Sequence, residues 1–312
     1  MLLLLVAGGG MMSFTRKPAG MTKAALGKKL FFDPILSEDR SVSCASCHKP
    51  EFAFADTAVF SLGVHGRTGT RNTPSAMNVA SREALFWDGR AATLEAQALV
   101  PIANPLEMNL PVDSAVRRLR QNKAYVALFK QVFGALPTAR NLGKALAAYE
   151  RTLETAHTPN DRWLAEKPGG MNEQQRRGRE VFFGKGQCIE CHFTPDFTGD
   201  EFRSIGLFNG QKHNDSGRYL ITKKHTDIGK FKVPGLRNVA VTAPYMHDGS
   251  FKTLRAVIDY YNNPVSVLPD GINRDSLLNH PLYLSEKEKT DLEAFLVALT
   301  DDRFMHKVSG NH

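Results

Sequence analysis

The sequence predicts a mainly α-helical fold built as two similar units joined by long loops. Three observations point there. A helical segment ending in two aromatics occurs twice, each time shortly before a C-x-x-C-H motif. Apolar residues recur at three- and four-residue spacing through the middle of the chain, and few segments alternate as strands do. The 312 residues suffice for two modest cores.

The elements follow in order. Residues 1–20 open with MLLLLVAGGGMM, an apolar stretch far too short to span a bilayer. It is expected to be signal-like or disordered, a trimmed secretion signal without its positive leading region. Gly27-Lys28-Lys29-Leu30-Phe31-Phe32 and Gly178-Arg179-Glu180-Val181-Phe182-Phe183 form the repeated helix. Asn172 is the expected N-cap of the second copy and Gly184 its stop. Between the copies, Asp113–Phe133 and Ala139–Ala156 carry helical stripes, with Val116 and Leu119 in one and Leu142, Leu146, Tyr149 and Leu153 in the other. Pro159 and Lys167-Pro168-Gly169-Gly170 read as a linker, so the units are expected to join near 157–170. Ser285 and Glu288 predict a capping box for a closing helix through Leu299.

Composition narrows the function. The chain is 42% hydrophobic and 23% charged, as ordinary globular proteins are. Its formal charge of +8 is scattered, and no Lys/Arg run is interleaved with stacking aromatics, so nucleic acid is not an expected partner. The four cysteines, Cys44, Cys47, Cys188 and Cys191, are too few for a disulfide framework. All are consumed by Cys44-Ala45-Ser46-Cys47-His48 and Cys188-Ile189-Glu190-Cys191-His192. Two cysteines one turn apart can both form thioethers with haem vinyl groups, and the adjacent histidine then supplies an axial nitrogen to iron. Zinc would want four ligands from paired motifs, and a thioredoxin-like pair has no need of the extra histidine. Two covalent haem c groups are therefore expected. Their attachment belongs outside the cytoplasm, which predicts a periplasmic or otherwise exported protein.

From about Gly27 to Leu299 the sequence resembles the bacterial dihaem cytochrome c peroxidase and MauG family. The segments that carry the resemblance are LGKKLFFDP, SVSCASCH, RNTPS, FWDGRA, GQCIECH, FKVPGLRNVAVTAPYMHDGS and TLRAVIDYY. It implies two cytochrome c-like haem domains with long connecting loops. The N-terminal one (21–160) would be peroxidatic and the C-terminal one (161–312) would transfer electrons. Glu107 falls at the family's distal acid–base position and Gln97 at that of a neighbouring amide. Splitting O–O needs a proton moved from the inner peroxide oxygen to the outer, which a carboxylate over an apolar haem face can do. Trp87 falls where the family has an indole between the haems, as an electron relay or as a large core residue. Asn72 with the backbone of Thr242 and Pro244 matches an inter-haem calcium site of hard oxygen ligands. His65 approximates a distal histidine that caps the peroxidatic iron at rest, with Val64 inserted before it. The alternative is a surface loop histidine.

The second haem departs from the peroxidase pattern. Where the peroxidases place methionine, this sequence has Tyr261, as MauG-like members do. A phenolate favours ferric or higher iron. Met246 is the rival ligand, and Tyr261 is then a core aromatic of the helix Thr253–Asn262. The first expected function is reduction of hydrogen peroxide to water, with electrons from a small cytochrome c or cupredoxin relayed through the second haem. The alternative is a MauG-like enzyme in which peroxide raises both irons to a high-valent state that oxidises a protein or organic substrate. A plain electron carrier is the third. Pairing as a homodimer is expected by analogy with the family.

Overall fold

Helices α1 (Lys23–Phe32) and α7 (Ala139–Glu150) cross at a glycine, and this contact organises the first half of the chain. A Cβ on Gly27 would lie 1.8 Å from the carbonyl oxygen of Ala145, so only glycine lets the two backbones meet. Phe31 then packs edge-on against Tyr149, with ring centroids 5.2 Å apart. Burial of such a ring stabilises the fold by roughly 1.5–3 kcal/mol. Between these helices lie α2 (Cys44–Cys47), α3 (Leu94–Gln97), α4 (Val100–Ala103), α5 (Val112–Gln121) and α6 (Lys123–Phe133). The second half holds α8 (Pro159–Leu164), α9 (Glu173–Phe183), α10 (Tyr219–Thr222), α11 (Leu254–Asn262), α12 (Pro264–Val267) and α13 (Glu286–Val297). Strands β1 (Phe202–Arg203) and β2 (Phe231–Lys232) pair antiparallel, with Phe202 opposite Lys232. This computed structural model describes residues 20–308, and the signal-like reading of the N-terminus falls outside them apart from Gly20. Among the described residues no helix is long and apolar enough to cross a membrane.

The second half repeats the first. Helices α9 and α13 cross where a Cβ on Gly178 would lie 1.8 Å from the oxygen of Asp291, and Phe182 meets Phe295 at 5.2 Å. The repetition runs further than the aromatic helix and the cysteine motif. Pro74–Gln97 aligns without a gap on Pro234–Val257, sharing D-G-x-x-x-T-L-x-A. Asn78 and Asn238, both left-handed, donate their backbone N–H to Leu153 and Leu299 at 2.8 and 2.9 Å. Leu85 bridges Ala91 as Tyr245 bridges Phe251, and Thr93 caps α3 as Thr253 caps α11.

Three expected elements differ. Asp113–Phe133 is two helices, because Asn122 leaves helical geometry and its side chain caps the N–H groups of Ala124 and Tyr125. The helix from Ala139 stops at Glu150 instead of running to Ala156, whose N–H is taken by Asp301 at 2.8 Å. Pro159 is no linker residue. Thr158 caps α8 directly ahead of it, and the Asn160 N–H binds the Ala298 carbonyl, docking α8 on the second half. Asn172 caps α9 as expected, forming a box with Gln175, and the expected Ser285–Glu288 box forms with the closing helix ending at Val297. Two main cores result, and Val241 and Phe304 of the second half pack into the first.

Candidate functional site

Each C-x-x-C-H motif is held so that its histidine presents one free nitrogen. Ser43 and Ser46 cap α2, which places Cys44 and Cys47 one turn apart. The Nδ1–H of His48 donates to the Phe54 carbonyl at 2.9 Å. That bond fixes the tautomer and leaves Nε2 as a lone-pair donor. His192 repeats it, with Nδ1–H shared between the carbonyls of Phe197 (2.9 Å) and Pro234 (3.1 Å). Burial pushes both rings below the ordinary histidine range, so they are neutral, as metal ligands must be. None of the four cysteines is disulfide-bonded. Burial pushes the Cys44 and Cys188 thiols up to about 12, the opposite of a reactive thiolate pair. A cavity of about 1280 Å³ opens over Cys44, Cys47 and His48. These donors and this volume fit a covalently held porphyrin.

Glu107 and Gln97 line that same cavity. Gln97 ends α3. Glu107 sits in the turn after α4, its side chain held by Asn104 Nδ2–H at 2.5 Å and its carbonyl by the Val64 N–H at 2.8 Å. The close approach requires Gly63, whose Cβ would meet the Leu106 oxygen at 2.2 Å. Burial raises the Glu107 pKa, against the lowering effects of the Asn104 bond and of Arg90. The cavity is thus lined by an acid able to carry a proton and by an amide able to orient a small polar ligand.

His65 is not brought to the cavity. Its left-handed backbone (φ 58°) turns the half-exposed ring outward, with Nε2 3.1 Å from Glu38 and Nδ1 3.7 Å from Asp39. In this conformation the expected capping position is not taken up, because surface carboxylates engage both ring nitrogens.

Trp87 joins the halves. Its indole N–H donates to the Asn72 carbonyl and its own carbonyl accepts from Lys232 of β2, both at 2.8 Å. Its ring lies edge-on to His247 (6.5 Å), which stacks on Phe231 at 3.7 Å. Arg71 adds ion pairs to Asp88 and, across the halves, to Asp215, both at 2.6 Å. The Asn72 side-chain N–H₂ is spent on the carbonyls of Ala58 and Val59, and its backbone N–H on His247. Val59 in turn lies against the Pro244–Gly249 turn, so Asn72 and Pro244 share one neighbourhood. Sequence reasoning missed His247, Phe231 and Arg71. The signal was present in the gapless echo of FWDG and MHDG, which sets His247 at the Trp87 position.

Tyr261 is partly buried and lies toward the second motif. Burial drives its phenol pKa well up, and the Cys191 and Cys188 sulfurs add to the rise. Neighbouring Tyr260 gives its hydroxyl to the Ile205 carbonyl, whereas the Tyr261 hydroxyl has no hydrogen-bond partner among the described residues. Met246 occupies a left-handed turn position (φ 70°) ahead of His247.

Residues 21–168 match the family model described as di-haem cytochrome c peroxidase. The chain is 41% identical to methylamine utilization protein MauG of Methylorubrum extorquens, over 90% of this chain and 79% of that protein. It is 34% identical to cytochrome c551 peroxidase of Nitrosomonas europaea, covering 92% and 82%. The diheme peroxidase BthA of Burkholderia thailandensis superposes with a TM-score of 0.81 at 28% identity, covering 94% of this chain and 88% of that one. This chain therefore belongs to the dihaem cytochrome c peroxidase and MauG family, as a peroxidase-type oxidoreductase with two covalently bound haem c groups.

Proposed function

We propose that this protein reduces hydrogen peroxide to water in the cavity beside Cys44 and Cys47, with electrons entering from a small redox protein through the C-terminal unit. One observation carries the reading. Glu107, with its raised pKa, and Gln97 share the cavity of the first C-x-x-C-H motif, and the aligned partner of Gln97 in the second unit is Val257. The bound haem supplies an iron that binds peroxide and exchanges electrons with it. Gln97 orients the ligand by hydrogen bonding. Glu107 takes the proton from the inner oxygen and returns it to the outer one.

The C-terminal unit (161–312) acts as the electron entry, where His192 and Tyr261 would hold the haem iron, and Trp87 is the relay between the halves. Asn72 with the backbone of Thr242 and Pro244 would offer hard oxygen ligands to an inter-unit calcium ion. The protein works outside the cytoplasm, where haem is attached. Glu107→Gln tests the reading: peroxide turnover collapses while both haems remain attached. The unpartnered hydroxyl of Tyr261 supports a second reading, in which peroxide drives oxidation of a separate protein or organic substrate. Slow turnover with a small redox donor, beside fast reaction with peroxide, is its expected mark.

A further inference from the structure

We propose that Glu150 is a second protonatable group of the first pocket, binding a proton as the haem attached to Cys44 and Cys47 gains an electron. The inference rests on the reading that this pocket is the peroxide-reducing one. Glu150 is the last residue of α7, is 8% exposed and lines the same cavity as Cys44 and Glu107. Its carboxyl has no hydrogen bond or ion pair among the described residues. The carboxyl reaches the cavity surface, which a bound haem would cover, and an unpartnered carboxylate enclosed there is disfavoured; the negative C-terminal end of α7 disfavours it further.

The charges around it offer little relief. The neighbouring Arg151 turns to Glu95 of α3, which engages it through two bonds of 2.8 and 3.0 Å. From α1, Gly27 and Phe31 meet the adjacent Tyr149, and α2 contributes the Cys44 thiol, which responds to Glu150. Burial, assisted by Glu95 and opposed by Arg151, pushes the Glu150 carboxyl up to about 7. His48 responds to Asp56 instead of Glu150. In the repeat, the position of Glu150 is taken by Leu296, also buried. At this aligned position, among the described residues, the first unit has an acid and the second does not.

The chemistry needs such a group. Peroxide, two electrons and two protons give two waters, and Glu107 moves a proton between the two oxygens without supplying one. When an electron arrives from the donor, a proton from solvent binds the Glu150 carboxylate. The buried charge is then unchanged, and a proton is stored beside the reaction.

Redox titration of the holoenzyme between about pH 5 and 9 tests this, with each haem followed separately. The first haem's midpoint potential is expected to fall near pH 7 by up to about 59 mV per pH unit, a tenfold change for one electron. Glu150→Gln and Glu150→Leu flatten that slope and leave the second haem's unchanged. A retained slope in either haem-loaded variant overturns the proposal. Should neither variant take up haem, the reduced-minus-oxidised infrared spectrum of the wild type decides. A carboxylic acid C=O band gained on reduction, and kept in Glu107→Gln, supports the proposal, and its absence overturns it. Glu107→Gln also separates the two readings. Normal turnover in that variant defeats the peroxide-site assignment, whereas a pH slope kept in Glu107→Gln and lost in Glu150→Gln reports on Glu150.

Discussion

Replacing Glu107 by glutamine removes one proton-carrying function and almost nothing else. The side chain keeps its size, and the amide oxygen can still accept from Asn104 Nδ2–H, so only the charge-assisted share of that 2.5 Å bond is lost. That share is roughly 1 kcal/mol. Relief of the burial that raises the acid's pKa offsets part of it. The bond from the Val64 N–H to the backbone carbonyl is untouched. Stability and haem content should therefore stay near wild type while turnover falls. A positioned acid–base group is worth about 10²–10⁴ in rate, so kcat/KM for peroxide should drop by that factor, or about 3–5 kcal/mol. Stopped-flow mixing of peroxide with enzyme and reduced donor measures it, with haem content checked by pyridine haemochrome. The sign of the pH dependence is also fixed. The carboxylate is the base, so wild-type kcat/KM rises with pH through the raised pKa of Glu107, and the variant lacks that limb. A fully haem-loaded variant within about threefold of wild type would refute the assigned role.

Tyr261→Phe should alter the optical and EPR spectrum of the haem on Cys188 and Cys191 alone, and an unchanged spectrum would return the ligand role to Met246. Gly27→Ala places a Cβ 1.8 Å from the Ala145 oxygen and should destabilise the protein by about 3 kcal/mol or more in denaturant titrations; a loss under 1 kcal/mol would show that the α1–α7 crossing can give way. Trp87→Phe removes the N–H held by Asn72 and should lower stability by about 1–2 kcal/mol. It should also slow electron transfer between the haems after flash reduction of the second, and an unchanged rate would dismiss the relay.

Local features were legible in the sequence, and those set by packing were not. Asn172 and Ser285 announce their helices because a cap and its partner lie three residues apart. The two C-x-x-C-H motifs are local for the same reason. By contrast, Asn122 breaks a continuous apolar stripe, which periodicity alone runs straight through. His65 illustrates what spacing does not carry. Spacing places it in a glycine-rich loop near the pocket, but ring direction depends on a left-handed φ and on Glu38 and Asp39, which lie far back in the chain. Glu150 sits four residues after Leu146 on the α7 stripe, and that misplaced polar residue was a readable sign.

Duplication explains how one scaffold can hold two unlike sites. The crossing glycines, aromatic pairs, histidine-to-carbonyl bonds and threonine caps are common to both units, so the frame around each haem is nearly the same. The units differ at a few aligned positions. Gln97 faces Val257 in the alignment, Trp87 faces His247, Glu150 faces Leu296, and Pro101 faces Tyr261. The last pair has a backbone cause. Pro101 has no N–H to give the Gln97 carbonyl, so α3 ends at Gln97 and a separate short helix follows. Without that proline, α11 continues to Asn262 and carries the Tyr261 ring inward toward Cys188 and Cys191. Interrupting the helix in the first unit leaves room over the pocket for Glu107 to approach from the following turn. Continuing it in the second places the Tyr261 side chain at the aligned position. On the proposed assignment, an open, proton-handling site and a closed, electron-handling one would follow from a helix that breaks in one copy and runs on in the other.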